Sequence, residues 1–264
     1  MTLARLSHLV VLLLAIITIV IAAMMGSPPA PVVPMAEGFS TPILALEFAQ
    51  AAEDVAFLQG EEAAELRAAL THTQALDRYF PLAYAGMAAV FFAALWSAGR
   101  RLALVGMLLA ILTIPADWWE NSVIDQMLIL SRDVVCEPGG EICMETRLAA
   151  QPSAFPSGYE PSDGFVVERT AQAEALTAAL PALQLTTWTK WGLIAAYALM
   201  MTVLMWQEKR RILAIPGAVA ALALTATFLS GNNGYLAEIM GMTMLPFMLS
   251  FPIASALSVF ARKA

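Results

Sequence analysis

The sequence predicts an all-α, polytopic membrane bundle of about six transmembrane helices with a helical extracytoplasmic cap. Three observations predict it. Of 264 residues, 59% are hydrophobic and only 13% charged, about half the roughly 25% that a soluble domain carries. The apolar residues gather into six runs at 6–25, 79–98, 102–118, 188–206, 212–230 and 235–260, each near the ~20 residues that cross a bilayer. Their mean composition gives the whole chain a mean hydropathy of +0.71. None of the runs alternates with period two, so barrel strands are excluded, and helices alone satisfy the backbone in lipid. Disorder, collagen, coiled coil and a disulfide-dense secreted module are excluded by the same composition.

The first span has Arg5 ahead of a long apolar stretch. It is expected to stay as a helix, because Ile21-Ala22-Ala23 makes a poor signal-peptide cleavage site. An external segment, 26–78, follows. Pro28, Pro29, Pro31 and Pro34 make its start an extended connector. Leu44, Phe48, Ala51, Val55 and Leu58 then recur at helical spacing opposite Glu53 and Asp54, predicting one amphipathic helix. Gly60 ends it, and Glu61–Glu62 open a second helix that runs through Leu66, Leu70 and Leu76 into the second span. These helices are expected to pack as a cap over the bundle or lie at its interface.

The larger external segment, 119–187, is expected to begin as an extension of the third helix through Leu130 and to end as a helix near 166–180. Between them, Cys136 and Cys143 bracket Glu137-Pro138-Gly139-Gly140-Glu141-Ile142, whose Pro-Gly-Gly is a turn signal. On an oxidising face these two cysteines are expected to form a disulfide, worth roughly 2–3 kcal/mol by loop closure. No metal site is expected, since His8 and His72 are the only histidines and neither is near the cysteines. The last span carries Met240, Met242, Met244 and Met248 with Pro246 and Pro252, a composition that suits adaptable packing around kinks. The whole of 1–264 reads as a single membrane domain with no convincing internal repeat.

Charge fixes the expected orientation. If each span crosses once, Arg5, Arg100, Arg101, Lys209, Arg210, Arg211, Arg262 and Lys263 share one side with Glu208 as its one acid. That side carries +7 and the other −14, which together make the −7 of the chain. The positive-inside rule then places both termini in the cytoplasm of a cell (inner) membrane protein. The six tryptophans fall at predicted span ends, where an aromatic belt belongs. An acidic exterior argues against nucleic acid as a partner.

The third span ends in Asp117, Glu120 and Asn121, with Asp125 beyond, all on one helical stripe. At 1.5 Å per residue Glu120 stands about 28 Å above Arg101, and Lys190 about 28 Å above Lys209, so both sit near the outer edge of a ~30 Å core. An unpaired charge there is costly, so Lys190 is expected to pair with Asp117 or Glu120, and Asp77 lies close enough in depth to join them. Two readings stay open. The cluster locks spans two, three and four together, or it forms a polar pocket for a headgroup, an ion or a proton. Its shallow depth favours the lock. Glu238 is expected to face the same external vestibule as Lys190.

The segments Ala45-Leu46-Glu47-Phe48-Ala49, Leu76-Asp77-Arg78-Tyr79-Phe80-Pro81-Leu82-Ala83-Tyr84, Asp117-Trp118-Trp119-Glu120-Asn121 and Lys190 occur in that order. In this the chain resembles a loose group of bacterial multi-pass membrane proteins with no established activity, over about residues 42–200. The resemblance implies that these polar residues belong to one framework.

No glycine-rich phosphate loop is present, and no serine has a histidine or acid partner at a sensible spacing. No residue is therefore assigned a catalytic role, and no cofactor is expected. The expected function is a scaffold or accessory role, or lipid or protein binding. Membrane lipids are the expected partners, with another membrane protein as a second candidate. A transporter or channel using the charge cluster and a lipid-modifying enzyme with Asp117 and Glu120 as acid and base are the alternatives.

Overall fold

The computed structural model describes residues 3–132, 134–136, 143–145 and 163–260, with side chains over 5–132 and 173–260. Eight α-helices follow in order among them: α1 Leu3–Met25, α2 Pro42–Glu47, α3 Ala64–Asp77, α4 Phe80–Ser97, α5 Ala103–Leu130, α6 Asp163–Gln207, α7 Arg211–Leu229 and α8 Gly234–Phe260. Six stretches are long and apolar enough to cross a membrane: Arg5–Met25, Glu61–Ser97, Ala103–Leu130, Ala173–Gln207, Arg211–Leu229 and Gly234–Phe260. The protein is thus a multi-pass helical membrane bundle. Two three-residue strands, β1 Val134–Cys136 and β2 Cys143–Glu145, add an antiparallel hairpin to the otherwise helical chain.

The six spanning helices form a ring in chain order, α1–α4–α5–α6–α7–α8, closed by α8 packing back on α1. Small residues permit the close approaches, as is usual where both sides of an interface are equally apolar. A Cβ on Gly106 of α5 would stand 2.7 Å from the ring of Phe92 on α4. One on Gly217 of α7 would stand 2.7 Å from the carbonyl of Ala198 on α6.

The end of the bundle that carries the basic turns is solid. Phe91, Phe92, Tyr197, Phe247 and Phe251 interlock there, with ring centroids 5.3–6.4 Å apart and mostly edge-to-face. His8 of α1 meets Ser255 of α8 at 3.1 Å and closes that seam. Arg100 pairs with Glu208 at 2.5 Å, and Arg210 donates to Ala254 O and Ser258 Oγ at 3.1 and 3.0 Å. The turns α4–α5 and α6–α7 therefore lie at one end with the C-terminal part of α8.

At the opposite end α5 and α6 project beyond the ring. The 45 residues of α6 span about 68 Å, twice the thickness of a hydrocarbon core. Val123, Ile124 and Met127 of α5, with Leu176, Leu180 and Leu183 of α6, bury a second core against Leu46, Val55, Phe57, Leu58, Leu66 and Leu70. This is the cap.

The cap departs from the sequence expectation at one point. The single helix expected over 44–58 is two pieces, α2 and a 3-10 helix, Ala52–Leu58. Asp54 accepts hydrogen bonds from the amides of Gln50 and Ala51 at 2.8 and 3.0 Å, and these local bonds replace the α-helical ladder. Gly60 does break the chain, at φ +80°, and a further 3-10 turn, Glu61–Ala63, leads into α3. Arg67 fixes that corner by donating to Leu58 O and Gly60 O at 2.7 and 2.8 Å.

The expected disulfide falls on residues whose side chains lie outside the described set. The backbone register of β1 and β2 sets Cys136 opposite Cys143.

Candidate functional site

The site begins with the way α2 enters the bundle. Glu238 of α8 accepts hydrogen bonds from the amides of Ser40 and Thr41 at 2.8 and 2.6 Å and from Thr41 Oγ1 at 2.8 Å. Pro42 then starts the helix, where its missing N–H costs nothing. Glu238 is thus a clamp on α2; the sequence expectation set it in the same external vestibule as Lys190, and it is not among the residues that line the space Lys190 faces. Held in this way, α2 buries Leu44 with Phe48 in the bundle core and Leu46 in the cap core. Glu47 falls between them and reaches the centre of the protein.

Lys190 of α6 meets it there. Its Nζ donates to Glu47 Oε1 at 3.0 Å and forms an ion pair with Glu120 of α5, with the three side chains 8%, 9% and 0% exposed. The neighbouring Trp191 donates from Nε1 to Glu47 Oε2 at 3.0 Å. Its ring also lies 4.7 Å from Lys190 Nζ. One ammonium therefore joins α2, α5 and α6. The sequence expectation that Lys190 pairs with Asp117 or Glu120 meets Glu120 here, together with a partner it had not counted, Glu47.

Asp117 sits one turn from Glu120 but serves other groups. It accepts from Tyr84 Oη of α4 at 2.5 Å and from Asn121 Nδ2 at 3.1 Å. Asp77 is half-buried at the end of α3 and stands beside Asn121. Gln74, one turn earlier, is 3% exposed and its Oε1 accepts no hydrogen bond. Asp125, though on the same stripe, lies outward and pairs with Arg78 at 3.1 Å.

These groups form one wall of a chamber of about 460 Å³. Its polar wall is Glu47, Gln74, Asp77, Tyr84, Asp117 and Lys190, with Trp191 among them. The opposite wall is apolar: Ala15, Ile19 and Ala22 of α1 and Met244, Leu245 and Met248 of α8. Ile19 and Leu245 are 56% and 65% exposed on the outside of the bundle. The chamber accordingly opens sideways, between α1 and α8, in the half of the bundle nearer the cap. Leu249 and Pro252 of α8 line it on the side toward Phe251 and the His8–Ser255 pair. Met244 and Met248 of α8 line it, as flexible side chains suit a surface that must adapt.

The structure thus brings together Asp77, Asp117, Glu120, Asn121 and Lys190. Glu47, Gln74, Tyr84 and Trp191 belong with them; of these the sequence reading had Glu47 and Tyr84 only within the segments of the family resemblance, and not in the charge cluster. Glu47 carried a signal, since it is an acid inside the apolar run 43–49. Tyr84 closes the segment 76–84 that the family resemblance singled out, whereas Gln74 carried no signal. Among the described residues no group of three or more His, Cys, Asp and Glu is placed to hold a metal ion.

Comparison with known proteins finds no protein family whose model matches, no curated protein with a matching sequence and no solved structure with a matching fold.

Proposed function

We propose that the protein binds one amphiphilic molecule from the surrounding bilayer, with its tail between α1 and α8 and its head against the polar wall. The observation that carries this reading is the chamber itself. Its volume of about 460 Å³ falls within the ~300–1,000 Å³ of ordinary ligand pockets. Its two walls differ in polarity as the two ends of an amphiphile do, and its mouth faces lipid. A channel or alternating-access transporter needs a continuous or alternating route, whereas Phe91, Phe92, Phe247 and Phe251 are 0–1% exposed and fill the bundle beneath the chamber. A lipid-modifying enzyme remains the alternative, because Asp117 faces the same space. Both its oxygens already accept hydrogen bonds, from Tyr84 and Asn121, which favours binding.

This reading includes the orientation that the basic residues favour. The cap then lies outside the cytoplasm of a bacterial cell membrane, both termini lie inside it, and Cys136 and Cys143 are joined. A role as accessory to another membrane protein is compatible with it, since a protein that holds an amphiphile has somewhere to deliver it.

Photo-crosslinking tests the proposal. A phospholipid with a diazirine in its acyl chain will label Leu222, 69% exposed on α7, whatever the function. Tyr84 and Met87, 4% and 1% exposed, line the chamber and are shielded from bulk lipid. Peptides of α4 containing them should be labelled. Label confined to the outward faces of α1, α7 and α8 would refute the proposal.

A further inference from the structure

We infer that the occupant's head is a hydrogen-bond-donating cation of the ammonium type, held by Gln74 and Asp77 on α3. This rests on the amphiphile-binding reading and deepens it.

The charge balance of the polar wall comes first. Glu47, Asp77, Asp117 and Glu120 gather around a single ammonium, that of Lys190. Carboxyl groups therefore outnumber ammonium groups among the described residues here, in a place where a charge without a partner is costly. Lys190 is committed to Glu47 and Glu120, so it does not present a free cation to an anionic head.

Hydrogen bonding then narrows the position. Glu47 is satisfied by Lys190 and Trp191, and Asp117 by Tyr84 and Asn121. Two acceptors facing the chamber are left short of donors, Gln74 without any partner and Asp77 with Asn121 alone. Gln74 Oε1 is buried with no partner, an arrangement that costs about 1–3 kcal/mol unless something donates to it. Asp77 makes no ion pair with any described residue. Three residues apart on one helix, the two lie on the same face, one turn from each other. A buried acceptor beside a carboxylate suits a group that brings both N–H donors and positive charge. A phosphate, sulfate or carboxylate head would set acceptor against acceptor. A quaternary ammonium would bring charge but no donor to Gln74. The head is thus a protonated amine, whether that of a simple alkylamine or of an aminophospholipid.

Binding of matched amphiphiles to the purified full chain in a nonionic detergent tests this. The probes are dodecylammonium, dodecyltrimethylammonium and dodecyl sulfate, and in a second series phosphatidylethanolamine against phosphatidylglycerol. Bound molecules are counted by native mass spectrometry over a titration. Dodecylammonium should bind at least 10-fold tighter than dodecyl sulfate and measurably tighter than its trimethyl analogue. Asp77→Asn and Gln74→Met should each erase most of that preference, the second serving where the first does not fold. Preference for phosphatidylethanolamine would identify a lipid as the source of the amine, and preference for dodecylammonium alone a simpler amine. Equal affinity for ammonium and sulfate, or unchanged preference in both variants, overturns the head-group assignment and leaves the chamber reading standing. Failure of every probe to bind removes the chamber reading as well.

Discussion

Replacing Lys190 by Met removes the one cation that Glu47 and Glu120 share. The side chains concerned are 8%, 9% and 0% exposed, so solvent does little to screen the carboxylates left behind. No described group other than Lys190 donates to Glu120, so nothing else compensates it. Breaking a buried pair from one side costs roughly 3–5 kcal/mol. At about 2–4 °C per kcal/mol for a chain of this size, the melting temperature should fall by roughly 6–20 °C. The assay is thermal unfolding in a nonionic detergent, followed by the intrinsic fluorescence of the six tryptophans. A triple variant, Glu47→Gln, Glu120→Gln and Lys190→Met, leaves no unmatched charge and should regain at least half of the loss. A melting temperature for Lys190→Met within about 2 °C of the parent, against the loss expected for a buried pair, would refute the reasoning. So would a triple variant no more stable than the single one, because the cost would then lie in packing and not in charge.

Four further outcomes follow from the same structure. Glu238→Gln should loosen α2, since a carboxylate holding three donors is replaced by a weaker acceptor; protease nicking within 36–50 should rise, and unchanged cleavage would count against the clamp. Gly106→Leu should lower the melting temperature by several degrees, because its Cβ alone would stand 2.7 Å from Phe92, and a neutral result would contradict the close α4–α5 packing. Cysteines placed at Gly99 and Asn232 should be labelled from opposite sides of the membrane, the second from outside; labelling of both from one side would end the proposed topology. Native Cys136 and Cys143 should resist thiol reagents until reduced, and free thiols in protein taken from an oxidising compartment would remove the disulfide.

The bundle was legible because hydropathy and charge act over whole segments. A run such as 212–230 is unambiguous whatever its neighbours do, and Arg100 with Arg101 marks a turn without any knowledge of packing. Pro28 to Pro34 and Gly60 were legible for a local reason, backbone stereochemistry. The break between α2 and the Ala52–Leu58 turn was not, because hydrophobic spacing over 44–58 suits one continuous helix. What decides it is Asp54 bonding to two amides and Glu238 holding Ser40, at the start of α2, from 198 residues further along the chain.

The site was half legible for the same kind of reason. Depth counting along α5 and α6 set Glu120 and Lys190 at one level, and they do meet. Glu47 arrives from a segment that periodicity assigned to an external cap, so no counting along a span reaches it. Gln74 becomes conspicuous only when its oxygen is found buried and unpaired. The chamber is lined from α1 through α6 and from α8, and no single segment encodes that.

Occupancy of that chamber is the central claim, and native mass spectrometry of protein extracted gently from its own membrane tests it most directly. Parent protein should carry one retained amphiphile per chain. A variant with Ala22→Trp and Met248→Trp, which fills the space between α1 and α8, should fold and carry none. Equal retention by parent and filled variant, or an empty parent under conditions that keep annular lipids bound to the bundle, would contradict the account.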